Sequence, residues 1–190
     1  IYHSEMAIVG PPKAIDTELA GDTNTEEYLK LQNGYQAFID ANASRETMVY
    51  VGANDGMLHA FKDSTGEELW GFIPPNVLPK LRSMFSGVEH VTIPIYGVDG
   101  SPVVKDVLLG GQWRTVLMAG LGREGYGYFA LDVTNPSVPS FLFAFENDPQ
   151  NQKIRHWASN GTITEQSYSG TGSGYDYKKL GEALATPTIV

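Results

Sequence analysis

The sequence predicts an all-β protein, a β-propeller that contributes about two four-stranded antiparallel blades and the first strand of a third. Three observations predict this class. Short apolar segments recur at intervals of roughly ten residues, turns rich in Gly, Asn and Asp separate them, and the order of strands and turns occurs twice. Several strands, among them "VLMA" and "FLFAF", are apolar on both sides, as expected for a sheet that neighbouring sheets cover on both faces.

The first blade is predicted over residues 1–73. Its last three strands follow one another with the turns "ANDG" and "DSTG" between them, and the residues of these turns tolerate a positive φ or cap a turn. This spacing predicts an antiparallel meander. Strands are expected at 6–9, 47–52, 57–62 and 67–73. The residues assigned to the framework of this blade are Gly52, Asp55, Gly56, His59, Gly66 and Trp70.

Residues 16–43 interrupt the first blade and are predicted to be helical in part. Thr23 and Glu26 have the spacing of a helix capping box, and the apolar residues that follow fall on one helical face. Asn33 and Gly34 lie in the middle of this pattern, so it allows either one helix or two short ones. Residues 74–100 form the connector to the second blade, and the prolines at its start permit another short helix.

The second blade is predicted over residues 101–146. Residues 147–180 are polar and rich in Gly, Ser and Thr, and they are predicted to form a loop at the rim of the propeller. Residues 181–190 are expected to begin a third blade. The strands of the second blade are expected at 102–109, 115–121, 126–133 and 141–145. The framework residues of this part are Asp99, Gly100, Pro102, Gly120, Asp132 and Pro187.

Trp70 ends the strand "TGEELW" and has two interpretations. An aromatic side chain at the end of a blade can dock between adjacent blades and close the gap by burying apolar surface. Alternatively, the indole ring could stack on a cofactor. We favour docking, because large aromatic side chains are usually buried for packing.

Composition excludes some classes of function. The net charge of −9 argues against a nucleic-acid surface, which needs clustered Lys and Arg. The chain has no cysteine, so it has no disulfide, thiolate metal site or cysteine nucleophile. No apolar run reaches the roughly 18 residues of a membrane span. Both ends of the sequence are apolar and two blades cannot close a ring, so we expect a segment of a longer protein.

Patterns that indicate catalysis or metal binding are weak. Asp22, Asn24 and Glu26 offer alternating oxygen ligands, but they lack the central glycine and the distant glutamate of an EF-hand loop. They are therefore only a weak metal candidate, and helix capping explains Glu26 without an ion. The histidines lack metal-ligand spacing, and we expect His59 to be a hydrogen-bonded core residue. No "GxSxG" nucleophile pattern occurs.

Four segments carry a resemblance to a known family: "MVYVGANDGMLHAFKDSTGEELWGFIPPNVLPKLR", "VDGSPVVKDV", "WRTVLMAGLGREGYGYFALDVTNP" and "LGEALATPTIV". Together they resemble the C-terminal β-propeller of the PilC/PilY-type tip adhesins of bacterial type IV pili, whose blades are quinoprotein-like. The resemblance runs from His3 to Val190 and is vague over 16–43 and 147–174.

The resemblance implies a non-catalytic pilus biogenesis factor and adhesin, carried at the pilus tip and the outer membrane of a Gram-negative bacterium. Its expected partners are minor pilins, the type IV pilus machinery, and a host-cell or abiotic surface. Its expected roles are pilus extension, twitching motility, attachment and surface sensing. The calcium loop of the family lies beyond the strand that matches "TPTIV", so we expect no cofactor within these residues and calcium in the longer protein.

Two alternatives stay open on the sequence. A quinoprotein-type dehydrogenase has similar "TGEELW" blades, but it needs a complete ring, a calcium-bound quinone and a catalytic aspartate. A periplasmic or outer-membrane scaffold propeller would use the same blades only as a binding platform. The segments "VDGSP" and "GYFALDVTNP" favour the pilus family over both.

Overall fold

The computed structural model describes residues 3–85, 96–170 and 176–190. Within these ranges the chain folds into two antiparallel β-sheets, of four and six strands, with short helices between the strands. The predicted all-β character is therefore present, and the helices are confined to an insertion and a connector.

The first sheet contains four strands that pair in chain order. Its register places Val51 opposite His59 and Ala60 opposite Trp70. Both turns of the meander contain a glycine with positive φ, at Gly56 (93°) and Gly66 (72°), a conformation that disfavours residues with a Cβ. The strands are β1 (Ala7–Val9), β2 (Met48–Gly52), β3 (Leu58–Lys62) and β4 (Glu68–Phe72).

The insertion between β1 and β2 contains two helices, α1 (Glu26–Gln32) and α2 (Tyr35–Ala41), after a 3₁₀ turn at Leu19–Gly21. Gly34 separates the helices with φ of 67°, so two short helices form instead of one. The capping box predicted for Thr23 is wrong. Thr25 is the N-cap of α1 instead, because its hydroxyl accepts a hydrogen bond from the amide of Tyr28.

The connector contains a third helix, α3 (Leu78–Phe85), which begins after Pro74 and Pro75. The chain then enters the second sheet, whose six strands also pair in chain order. These strands are β5 (Val103–Leu109), β6 (Gln112–Gly120), β7 (Gly127–Asp132), β8 (Ser140–Asp148), β9 (Lys153–Ala158) and β10 (Ile163–Ser167).

The prediction of a loop over 147–180 is wrong, because β9 and β10 form a hairpin that extends the second sheet. The turn of this hairpin contains Gly161 with φ of 83°. Lys153 and Arg155 on β9 pair with Glu165 on β10 at 2.5 and 2.7 Å, so charged side chains hold one face of the hairpin. Its composition resembles a loop because β10 and the turn before it are polar, although the residues of β9 are buried or half-buried.

The strand predicted at 181–190 is also not formed in the structure. Ala183 makes an isolated bridge to Gly122, and residues 184–190 have no partner strand among the described residues. Since a strand needs a hydrogen-bonded neighbour, this segment is extended only locally.

The core lies where the two sheets pack against each other. Met48, Tyr50 and Leu58 of the first sheet belong to the same buried cluster as Leu117 and Phe129 of the second. Phe72 on β4 crosses between them, with its ring centroid 5.8 Å from that of Phe129. Apolar burial between sheets is therefore the main contact that positions every site described below.

Candidate functional site

We call the contact between the two sheets the seam, and it contains some of the framework residues. Trp70 on β4 reaches across it, and its indole Nε1 donates a hydrogen bond of 2.8 Å to the carbonyl of Pro136 in the connection between β7 and β8. The ring also lies against Tyr50, at 5.8 Å between centroids. Trp70 thus has the position that the docking interpretation requires.

Two glycines let backbone segments approach the seam closely, and they occupy equivalent positions. Gly52 ends β2, and a Cβ on it would lie 2.5 Å from the carbonyl oxygen of Val98. Gly120 ends β6, and a Cβ on it would lie 2.7 Å from the carbonyl oxygen of Ala183. In each sheet, the glycine that ends a strand therefore contacts the chain segment that follows that sheet. This equivalence is the structural counterpart of the repeat in the sequence.

Asp99 and Gly100 lie where the first strand of one unit meets the first strand of the next. The Asp99 side chain is buried, and its Oδ2 lies 2.6 Å from Nδ1 of His3. A Cβ on Gly100 would lie 2.4 Å from the carbonyl oxygen of Gly120. The buried Pro102 follows and leads into β5. This segment joins the start of the first unit to the second.

His59 lies on one face of the first sheet between two carboxylates. Its Nε2 is 2.9 Å from Oδ2 of Asp55, and its Nδ1 is 2.6 Å from Oε1 of Glu68. Asp55 also accepts a hydrogen bond from the amide of Met57 through Oδ1. Both ring nitrogens are therefore used to hold the meander together. The sequence suggested a hydrogen-bonded histidine but did not identify Glu68 as its partner.

Asp132 and Pro187 lie apart from this group. Asp132 caps the end of β7: its Oδ1 accepts from the amide and hydroxyl of Thr134, and its Oδ2 accepts from Arg114 at 3.0 Å. Pro187 is half-buried in the extended segment after Ala183. The structure does not bring either residue to the Trp70 contact.

The three residues of the weak metal candidate do not fit a calcium ion. Oxygens of Glu26 lie 3.2 Å from Nζ of Lys30 and 2.7 Å from Nζ of Lys105. Burial alone would raise the pKa of the Glu26 carboxyl, but the two ammonium groups outweigh burial and hold this pKa below its usual value. Asp22 Oδ1 accepts hydrogen bonds from the amide and side chain of Asn24. Over the described residues, no three His, Asp or Glu side chains converge as a metal site would require.

A polar network that sequence reasoning missed attaches the helical insertion to the second sheet. Asp106 on β5 accepts hydrogen bonds from the hydroxyls of Tyr35 and Thr115, both at 2.5 Å. Arg45 also donates to Thr115. Burial raises the pKa of the Tyr35 phenol, and the bond to Asp106 raises it further. The only signal in the sequence is a pair of charged residues, Lys105 and Asp106, inside the strand "VVKDVLL".

Trp113 extends this attachment, because its indole Nε1 donates to the carbonyl of Asn33 at the junction of α1 and α2. The ring of Tyr35 packs edge-on against Trp113, with centroids 4.7 Å apart. The insertion is therefore a fixed part of the surface with one face on β5 and β6. None of the helices within the described ranges has the length and apolarity to cross a lipid bilayer.

Comparison with known proteins identifies what this arrangement resembles. The family model of the PilY1 beta-propeller domain matches residues 10–169. The type IV pilus biogenesis factor PilY1 of Pseudomonas aeruginosa strain UCBPP-PA14 is 36% identical over 184 residues, which are 92% of this chain and 15% of that protein. PilY1 of strain PAO1 is 48% identical over 154 residues, 79% of this chain and 12% of that protein.

A PilY1 homolog of Xylella fastidiosa is 47% identical over 141 residues, 72% of this chain and 10% of that protein. Among solved structures, the C-terminal domain of Pseudomonas aeruginosa PilY1 superimposes with a TM-score of 0.56 and 38% identity, covering 77% of this chain and 26% of that one. The chain thus spans 10–15% of the length of these curated relatives. The predicted β-propeller class is confirmed.

Proposed function

The chain belongs to the PilY1 β-propeller domain family, and we propose on that premise that it acts in type IV pilus biogenesis as a non-catalytic binding module. The observation that carries the proposal is the identity of 36–48% to type IV pilus biogenesis factors over most of the chain. Trp70 and His59 support the non-catalytic part, since both use their polar atoms for structural contacts. The related proteins named above give no support to the dehydrogenase alternative.

We propose that the helical insertion presents the surface that contacts partners. Its attachment through Asp106 and Trp113 fixes its orientation, while Leu19, Leu29 and Leu31 remain 51–54% exposed. Exposed apolar side chains on a rigid platform are suited to binding another protein. The expected partners are minor pilins or other parts of the pilus machinery, with a host-cell or abiotic surface as the target of adhesion.

The finer roles follow from the same family premise. We propose a location at the pilus tip and the outer membrane, and roles in pilus extension, attachment and surface sensing. Calcium binding by the longer protein is a proposal from the resemblance, with ligands outside the Asp22, Asn24 and Glu26 group.

The proposal is tested by replacing Leu19, Leu29 and Leu31 with Ser in the chromosomal gene. We expect the variant protein to accumulate normally, because these side chains are exposed, and surface pili and twitching to decline. Val138→Ser is the matched control, because Val138 is 66% exposed but lies outside the insertion. Piliation is counted by electron microscopy, and attachment to a host-cell layer is measured separately.

The two measurements distinguish the parts of the proposal. Loss of pili supports a biogenesis role, while normal piliation with reduced attachment supports adhesion alone. If the triple variant matches the parent strain in both measurements, the insertion is not the partner surface. If deletion of the gene leaves piliation and twitching unchanged, the biogenesis role is wrong.

A further inference from the structure

A polar cleft outside the seam has features of a binding site. It lies where the connector after β4 meets the ends of β7 and β8, and it has a volume of about 260 Å³. We call it the Asn76 cleft, and its polar lining includes Asn76, Lys80, Glu146, Asp148 and Arg155. This volume is just below the roughly 300 Å³ at which pockets for drug-sized molecules begin. The Asn76 cleft therefore suits a small polar group.

Asn76 is the first unusual residue of the cleft. It is only 2% exposed, yet neither Nδ2 nor Oδ1 has a hydrogen-bond partner within the described part of the chain. A Cβ on Gly127 would lie 2.9 Å from this Nδ2, so the glycine leaves the space that the amide occupies. Buried polar groups in native proteins are nearly always paired, and each exception requires an explanation. Here a buried amide at the wall of a polar cleft has neither its N–H donors nor its carbonyl acceptor paired within the described residues.

Lys80 is the second unusual residue. Its Nζ donates to the carbonyl of Glu124 at 2.8 Å, and no carboxylate of the described residues lies within the 4.0 Å of an ion pair. Burial lowers the pKa of Lys80, and the charges of Glu124 and Glu146 oppose this effect in smaller part. The ammonium group is thus partly desolvated, and only one of its three hydrogens has an acceptor among the residues that the structure describes.

Three carboxylates line the cleft, and those of Glu146 and Asp148 are paired, while Glu124 has no ion pair among the described residues. Arg155 Nη1 lies 2.6 Å from Oε1 of Glu146 and 3.1 Å from Oδ2 of Asp148. Its Nε lies 2.7 Å from Glu165. These ion pairs reduce the repulsion that an entering anion would meet, and they leave Lys80 as the cation available to it.

We propose that the Asn76 cleft binds a peptide carboxylate together with the N–H group beside it. The carboxylate accepts from Lys80 Nζ and Asn76 Nδ2, and the N–H donates to Asn76 Oδ1. A peptide C-terminal residue carries both groups, and an internal aspartate presents the same pair within a chain. This inference does not depend on the role in pilus biogenesis.

The test is calorimetric titration of the full chain with three short peptides. N-acetyl-trialanine with a free carboxylate is expected to bind with a dissociation constant on the order of 1 mM or tighter. Its C-terminal amide is expected to bind at least about tenfold more weakly, because the charge-assisted contact is lost. N-acetyl-Ala-Asp-Ala-amide distinguishes an internal aspartate from a chain terminus as the source of the carboxylate.

Two variants link binding to the named residues. Asn76→Leu removes both unpaired atoms at similar volume, so we expect an unchanged or higher melting temperature together with a loss of binding of about tenfold or more. Lys80→Met is expected to lose binding to the same extent, while the exposed Lys13→Met is the charge-matched control. Binding of either carboxylate peptide, lost in both variants, supports the proposal. No binding at about 10 mM peptide, equal binding of the acid and the amide, or full binding by Asn76→Leu overturns it.

Discussion

The close approach at Gly52 gives the sharpest prediction on stability. In Gly52→Ala, the new Cβ would lie 2.5 Å from the Val98 carbonyl oxygen and 2.9 Å from Val98 Cγ1. Both distances are too short for van der Waals contact, so the segment that contains Val98 must move. Overpacking of this kind costs about 1–3 kcal/mol. The movement also weakens the hydrogen bond from the Val98 amide to the Ala53 carbonyl, 3.0 Å long, which contributes about 0.5–1.5 kcal/mol.

The sum is about 1.5–4.5 kcal/mol of unfolding free energy, which corresponds to a decrease in melting temperature of roughly 3–18 °C for a chain of this size. Thermal unfolding followed by circular dichroism measures it. Gly21→Ala is the matched control, because a Cβ on Gly21 meets no atom within 4 Å. A Gly52→Ala melting curve that overlays the Gly21→Ala curve would refute the close-approach argument.

Three further predictions concern contacts of the seam and the attachment of the helical insertion. Trp70→Phe removes the hydrogen bond to Pro136 and is expected to lower the unfolding free energy by about 0.5–1.5 kcal/mol in urea titration; an unchanged midpoint would mean that the bond contributes nothing. Burial raises the pKa of Tyr50 to about 12, above the unfolded value near 10. The protonated Tyr50 hydroxyl therefore contributes roughly 2–3 kcal/mol to the unfolding free energy below about pH 10. This contribution is lost as the pH rises to about 12. Tyr50→Phe should flatten this decline in urea titrations across the alkaline range, and an equally steep decline would contradict the assignment. Asp106→Leu removes the acceptor for Tyr35 and should increase amide hydrogen exchange in α1 and α2 by at least about tenfold, which corresponds to about 1.4 kcal/mol; unchanged exchange in these helices would show that the insertion is held by other contacts.

Local patterns predicted much of the strand structure. Glycine turns and the regular spacing of short apolar segments located the meander of β2 to β4, because Gly56 and Gly66 adopt backbone angles that few other residues tolerate. The position of Trp70 at the end of "TGEELW" indicated a contact between units. The turns and the place of Trp70 in its strand depend on residues close in sequence, which is why a pattern can reveal them, whereas the partner Pro136 is 66 residues away in the chain.

Features that depend on distant partners were not predicted. The β9–β10 hairpin has the composition of a loop, and its cross-strand pairing of Arg155 with Glu165 follows only from the folded register. Asp106 looks like an ordinary charged residue until the insertion places Tyr35 beside it, 71 residues away in the chain. The unpaired amide of Asn76 likewise has no signature in the sequence, because burial without a partner is a property of the folded surroundings.

Nuclear Overhauser contacts across the sheets measure the arrangement of the two repeated units most directly. We expect the Trp70 indole protons to contact Pro136, the Gly52 Hα protons to contact Val98, and the Gly120 Hα protons to contact Ala183. Contacts confined to each sheet, with none of these three pairs, would contradict the assembly of the chain from successive blades.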